Sequence, residues 1–97
     1  MHNYFIYIVT NKERTVLYIG VTNDLSRRMI EHYEDSIGAK KHFSGKYNTY
    51  YLIYWERFDN INFAIEREKE LKGWRRSKKE SLINSFNPSW EFLNNTL

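Results

Sequence analysis

The chain has 97 residues, 41% apolar and 18% aromatic, which is material for one domain (residues 1–97) with a modest core and not for two. The absence of cysteine excludes disulfides and thiolate metal sites, and a net charge of +3 with an isoelectric point near 9.2 tilts the chain toward an anionic partner. No run of about eighteen apolar residues occurs, and the opening MHNYFIYIVTNKE alternates too strongly for a signal peptide, so the expectation is a soluble, cytoplasmic protein without a membrane span.

Tyr4 to Thr10 places Tyr, Ile, Ile on one face and Phe, Tyr, Val on the other, the period of two of a strand. Asn11–Thr15 is polar enough for a turn, and Val16–Gly20 is the returning strand. Thr22, Asn23 and Asp24 suit a helix N-cap, with Leu25, Met29, His32 and Tyr33 sharing one face of a helix that ends before Gly38. Ser36–Thr49 reads as a loop, and YYLIYWE, Tyr50 to Glu56, is the strongest strand signal. A second helix is expected from about Asn62 to Trp74. Ser77 and Glu80 have capping-box spacing for a third, which runs through Phe86 and stops at Pro88. The order is ββαβαα, an α+β domain with a small three-stranded antiparallel sheet and about three helices.

Several polar residues break these patterns. Glu68 is three residues from both Ile65 and Leu71, on the apolar stripe of the second helix, where a carboxylate costs stability unless it is paired or faces a cleft. Arg28 leans the same way on the first helix, between Leu25 and His32. Periodicity alone does not decide between a functional pair of groups and an ordinary buried Arg28–Glu68 ion pair. His32 has the bland reading of a core histidine, and Asn87, before Pro88, that of a turn residue. LKGWRRSKK, Leu71 to Lys79, carries five basic residues and no acidic one, which as a charge run alone is most simply a solvated helix end. Taken together, Tyr7, Tyr18, Arg28, His32, Glu68 and Asn87 suit phosphodiester chemistry. A divalent cation on Glu68 would polarise a phosphoryl oxygen, Arg28 would hold the phosphate, and a phenol would activate water. With one carboxylate, the metal is expected to be single and largely hydrated or substrate-bound.

FIY at 5–7, YIG at 18–20, Arg28 eight residues after Gly20, the Glu68 of EREKELK and the late Asn87 together resemble the GIY-YIG nuclease superfamily. That family includes homing endonucleases, some restriction enzymes and the N-terminal nuclease domain of bacterial excision-repair nucleases. YIGVTNDLSRRMIEHY, IEREKELKGWRRSKKESLI and FNPSW look most similar to its small stand-alone bacterial members. The resemblance covers nearly the whole chain. It implies a metal-dependent DNA endonuclease, linked by that likeness to DNA repair, with Mg²⁺ or Mn²⁺ at a single site. Tyr7 and Tyr18 take the places of the two active-site phenols, the first of them proposed in the family as general base. Arg28 takes that of the phosphate-binding arginine, Glu68 of the metal ligand, and Asn87 of a supporting asparagine. His32 stands where several members have a histidine. Tyr47, in KYN, is a further candidate at the nucleic acid.

Phe5 replaces the Gly of GIY, a change that a core-facing strand position accepts. Many members join this module to a separate DNA-choosing domain. Here binding is expected from the basic surface of Lys72, Arg75, Arg76, Lys78 and Lys79 with Trp74, or from a partner protein. Two other readings stay open: a catalytically idle nucleic-acid-binding module, and a protein-interaction domain that retains the fold.

Overall fold

The computed structural model describes residues 2–37 and 48–97. The expected Tyr47 contact and most of the Ser36–Thr49 loop lie outside the described residues. Strand β1 (Tyr4–Thr10) is central in an antiparallel three-stranded sheet, with β2 (Leu17–Thr22) on one side and β3 (Tyr51–Phe58) on the other. Helix α1 is Leu25–Ile37, α2 is Ile61–Lys72, α3 is Arg76–Phe86, and a 3₁₀ turn, Asn94–Thr96, follows. The order ββαβαα and the α+β class are those expected. Among the described residues, no helix is long and apolar enough to cross a membrane.

The alternation read in β1 divides the core in two. Ile6 and Ile8 face Ile19, Ile53, Tyr54, Ala64, Leu71 and Ile83 beneath α2 and α3. Tyr7 and Val9 face the other way, with Leu52, Leu25 and Met29 beneath α1. β1 is therefore covered on both faces, and Tyr7 is buried beneath α1. A register shift opposite Ile8 and Val9 lets the consecutive residues Ile53 and Tyr54 enter the same core, which simple alternation in YYLIYWE would forbid.

The ends of the elements show which local signals prevailed. Asp24 caps α1 by accepting the Arg27 N–H at 3.0 Å, and Asn60 caps α2. α2 closes at Lys72, short of Trp74, because Gly73 takes its last carbonyls. The Ser77–Glu80 capping box does not form. Arg75 is the N-cap of α3 without a side-chain bond, Ser77 lies inside the first turn, and Glu80 instead receives Arg76 at 2.9 Å. The C-terminal segment runs along β3: Leu93 N–H bonds Leu52 O at 2.7 Å, while Asn94 accepts from Leu52 N–H and donates to Tyr50 O, each at 2.9 Å. This covers main-chain groups that an open sheet edge would expose.

Candidate active site

The site starts from a cross-strand pair. Tyr7 of β1 is directly opposite Gly20 of β2. A methyl group on Gly20 would lie 2.9 Å from Tyr7 Cε2 and closer still to its Cζ and Oη. The Gly of YIG is thus needed for space: the Tyr7 phenol lies across the main chain of β2. This role was not visible in the sequence, because it depends on the register between the two strands.

The Tyr7 hydroxyl is held from α1 by two side chains one helical turn apart. Arg28 Nε donates to it at 3.1 Å, and His32 Nε2 lies 2.9 Å from it. Positions 28 and 32 share a helix face, so a helix laid over Tyr7 delivers both at once. His32 is 0% and Tyr7 1% exposed. Tyr18 packs edge-on against the same imidazole, ring centroids 5.5 Å apart, as does the Tyr7 ring at 5.5 Å. Both expected phenols therefore converge on one histidine.

Burial pushes the Tyr7 phenol up from 10.0 to about 12; the Arg28 charge pulls it down, while Tyr18 and the Glu68 carboxylate add to the rise. The phenol is thus protonated at neutral pH, and Glu68 is near enough for its charge to be felt. Burial works against the Arg28 cation, but Tyr7 and Glu31 more than offset it, and the net direction is upward. Glu31 Oε1 takes Arg28 Nη1 at 3.2 Å. Glu31 was missed in the sequence, although its (i, i+3) spacing from Arg28 is a readable signal. Among the described residues, Arg28 bonds through Nε and Nη1 and makes no hydrogen bond through Nη2.

The buried Arg28–Glu68 ion pair does not form. Each residue has another partner: Arg28 takes Glu31, and Glu68 Oε2 lies 3.5 Å from Lys72 Nζ. The Glu68 side chain is 17% exposed, half-buried on the stripe that periodicity assigned to it. Among the described residues no three His, Cys, Asp or Glu side chains converge.

Asn87 is buried, and its bonds go to main chain: to Ile53 O at 3.0 Å, to Glu91 O at 2.8 Å, and from Glu91 N–H at 3.0 Å. It clamps the end of α3 to β3 and makes no bond with Tyr7, Arg28, His32 or Glu68. The basic run divides as well. Arg76 donates to Thr15 O at 2.6 Å and Arg14 O at 3.2 Å, tying α3 to the β1–β2 turn. Lys78 lies over the Trp74 ring at 4.2 Å. Arg75 is exposed at the start of α3. Lys72 and Lys79 line a recess of about 280 Å³ whose floor is Leu17, Tyr18 and Ile19.

Comparison with known proteins agrees with this fold. A UPF0213 protein of Staphylococcus saprophyticus is 37% identical over 84 residues, covering 87% of this chain and 98% of its own length. Another, from Natronomonas pharaonis, is 35% identical over 81 residues, covering 84% and 91%. The solution NMR structure of a UPF0213 protein from Bacillus halodurans superimposes with a TM-score of 0.53 at 30% identity, covering 97% of this chain and 93% of that one. Residues 3–81, which run from the Tyr7 strand through the Glu68 helix and into α3, match the model of the GIY-YIG catalytic domain, and this chain belongs to the GIY-YIG family.

Proposed function

We propose that this protein is a metal-dependent endonuclease that hydrolyses phosphodiester bonds in DNA. The observation that carries the reading is the Tyr7 hydroxyl, held between the Arg28 guanidinium and the His32 imidazole with the charge of Glu68 bearing on it. Arg28 supplies a fixed cation for the phosphate, in a setting where burial strengthens its field.

The donor set suits a hard divalent cation. One half-buried carboxylate matches Mg²⁺ or Mn²⁺, which keep several waters and take substrate oxygens for the remaining positions. Glu68 would hold the ion, which when bound neutralises charge developing on the phosphate.

A phenol at about pKa 12 is a poor free base near neutrality, but Tyr7 need not ionise. Its oxygen accepts from Arg28, and in the His32 tautomer with Nε2 unprotonated its hydroxyl donates to that nitrogen. In that tautomer Tyr7 can pass a proton to His32 as it takes one from the attacking water, so no phenolate accumulates. Gly20 keeps the phenol in line for this exchange, and Glu31 fixes the other edge of Arg28.

The test is cleavage of labelled duplex, branched and single-stranded DNA with Mg²⁺, with Mn²⁺ and with EDTA, by wild type and Glu68→Ala. Cutting that requires the metal and falls about 10²–10³-fold or more in Glu68→Ala is the expected result. Binding without cutting by the wild type would instead identify a catalytically idle module.

A further inference from the structure

We propose that Lys72 and Lys79 form a second phosphate-binding subsite beside Tyr18, which takes a phosphate of the substrate strand next to the one that reacts. The proposal rests on the nucleic-acid reading above and adds a named position for the strand.

The recess is built by two helices and one strand. Lys72 is the last residue of α2, and Gly73 ends that helix so that the chain turns before α3 begins at Arg76. Lys79, almost one turn into α3, then returns to the same place, and both lysines stand over Leu17, Tyr18 and Ile19 of β2. Among the described residues, no acidic side chain lines the recess. Among the described residues β2 is an edge strand, paired with β1 on one side only, so main-chain groups of its other edge border the same floor. Tyr18 lines the recess by its place in β2, while its ring, on the face opposite Leu17 and Ile19, packs on His32, the residue bonded to Tyr7.

The neighbouring cations do not compete for this role. Arg76 is spent on Thr15 O, Arg14 O and Glu80, and Lys78 is placed over Trp74. Lys72 does have a partner, Glu68 at 3.5 Å, but an (i, i+4) pair with a half-exposed lysine is weak. A phosphodiester flanked by two ammonium groups competes with it readily. The ligand class is thus a nucleic-acid backbone phosphate, recognised by charge and not by base.

Counterion release tests this without turnover. Binding of a short fluorescent DNA duplex is followed by anisotropy in EDTA, from about 50 to 200 mM NaCl, for wild type, K72Q, K79Q, K72Q/K79Q and R57Q. Arg57, at the far end of β3 and bonded to Asn3 and Asp59, controls for loss of charge alone. Circular dichroism and thermal midpoint confirm folding. The double variant should bind about tenfold or more weaker at low salt. Its slope of log K against log salt should shrink by about 0.9, one phosphate's worth, because both lysines serve a single phosphate. R57Q should leave the slope unchanged. A shrinkage of about 1.8 would mean two separate phosphates and overturn the shared subsite, as would no change. If the wild type cuts DNA and the slope is unchanged, the subsite alone falls. If the slope shrinks but no condition gives cutting, the subsite stands and the hydrolytic reading falls. A wild type that does not bind the duplex at low salt overturns both.

Discussion

At Gly20 the missing side chain is used for room, not for a backbone angle, since no described glycine has positive φ. Gly20→Ala should therefore displace the Tyr7 ring and, with it, the hydroxyl that Arg28 and His32 share. A close contact in a filled core costs about 1–3 kcal/mol. Urea unfolding should show that loss, and the His32 ring resonances should shift because both tyrosines pack on it. A Gly20→Ala protein with wild-type stability and unchanged His32 signals would contradict the packing described. Glu68 and Arg28 were legible as anomalies because a helical period of 3.6 assigns faces without tertiary information. The contact of Arg28 with Tyr7 was not. Tyr7 is 21 residues from Arg28 and 25 from His32, and only the folded sheet sets that distance.

Among the elements, α3 shows how tertiary contacts override a local signal. The Ser-x-x-Glu spacing is real, but Arg76 offers Glu80 a charged partner, and the helix starts earlier. Arg76 then reaches two carbonyls of the β1–β2 turn, so Arg76→Gln should cost about 1 kcal/mol of stability and weaken DNA binding less than Lys79→Gln does. Paired thermal melts and anisotropy titrations separate the two effects. Asn87 is the opposite case, a turn residue by its position before Pro88 whose side chain is fully used on main chain. Asn87→Ala leaves buried groups without partners and should cost about 2–4 kcal/mol. Cleavage per folded molecule should fall less than tenfold. A collapse of activity at unchanged stability would instead put Asn87 at the phosphate.

For the whole molecule, covering both faces of a small sheet makes stability sensitive to alkaline pH. The folded state holds Tyr7 at about 12 against 10.0 when unfolded, so the protonated phenol is favoured in the fold. Stability from this group is complete below about pH 10 and is lost as pH rises toward 12, because the unfolded chain releases its proton first. A rise of this size in the pKa of a buried phenol is worth about 2–3 kcal/mol. Tyr54, pushed up by burial and then by Glu56, should lose stability in the same direction. Denaturant melts at about pH 9 and pH 11.5 should therefore show a smaller alkaline loss in Tyr7→Phe than in wild type, even though the variant is less stable at the lower pH. An equal loss in both would place the alkaline sensitivity elsewhere.

The sequence by itself determined the element order, the two faces of β1, the positions of Arg28 and Glu68 on inward helix faces, and the likeness carried by FIY, YIG, Arg28, Glu68 and Asn87. These are periodic or short-range properties, set by backbone geometry within a few residues. Only the tertiary structure decided that Gly20 makes room for Tyr7, that the Tyr7 hydroxyl meets both Arg28 and His32, and that Arg76 ties α3 to the β1–β2 turn while Lys72 and Lys79 line a recess. Those outcomes depend on strand register and on how two helices end against the sheet. Such contacts join residues far apart in the chain, and a local pattern holds no record of them.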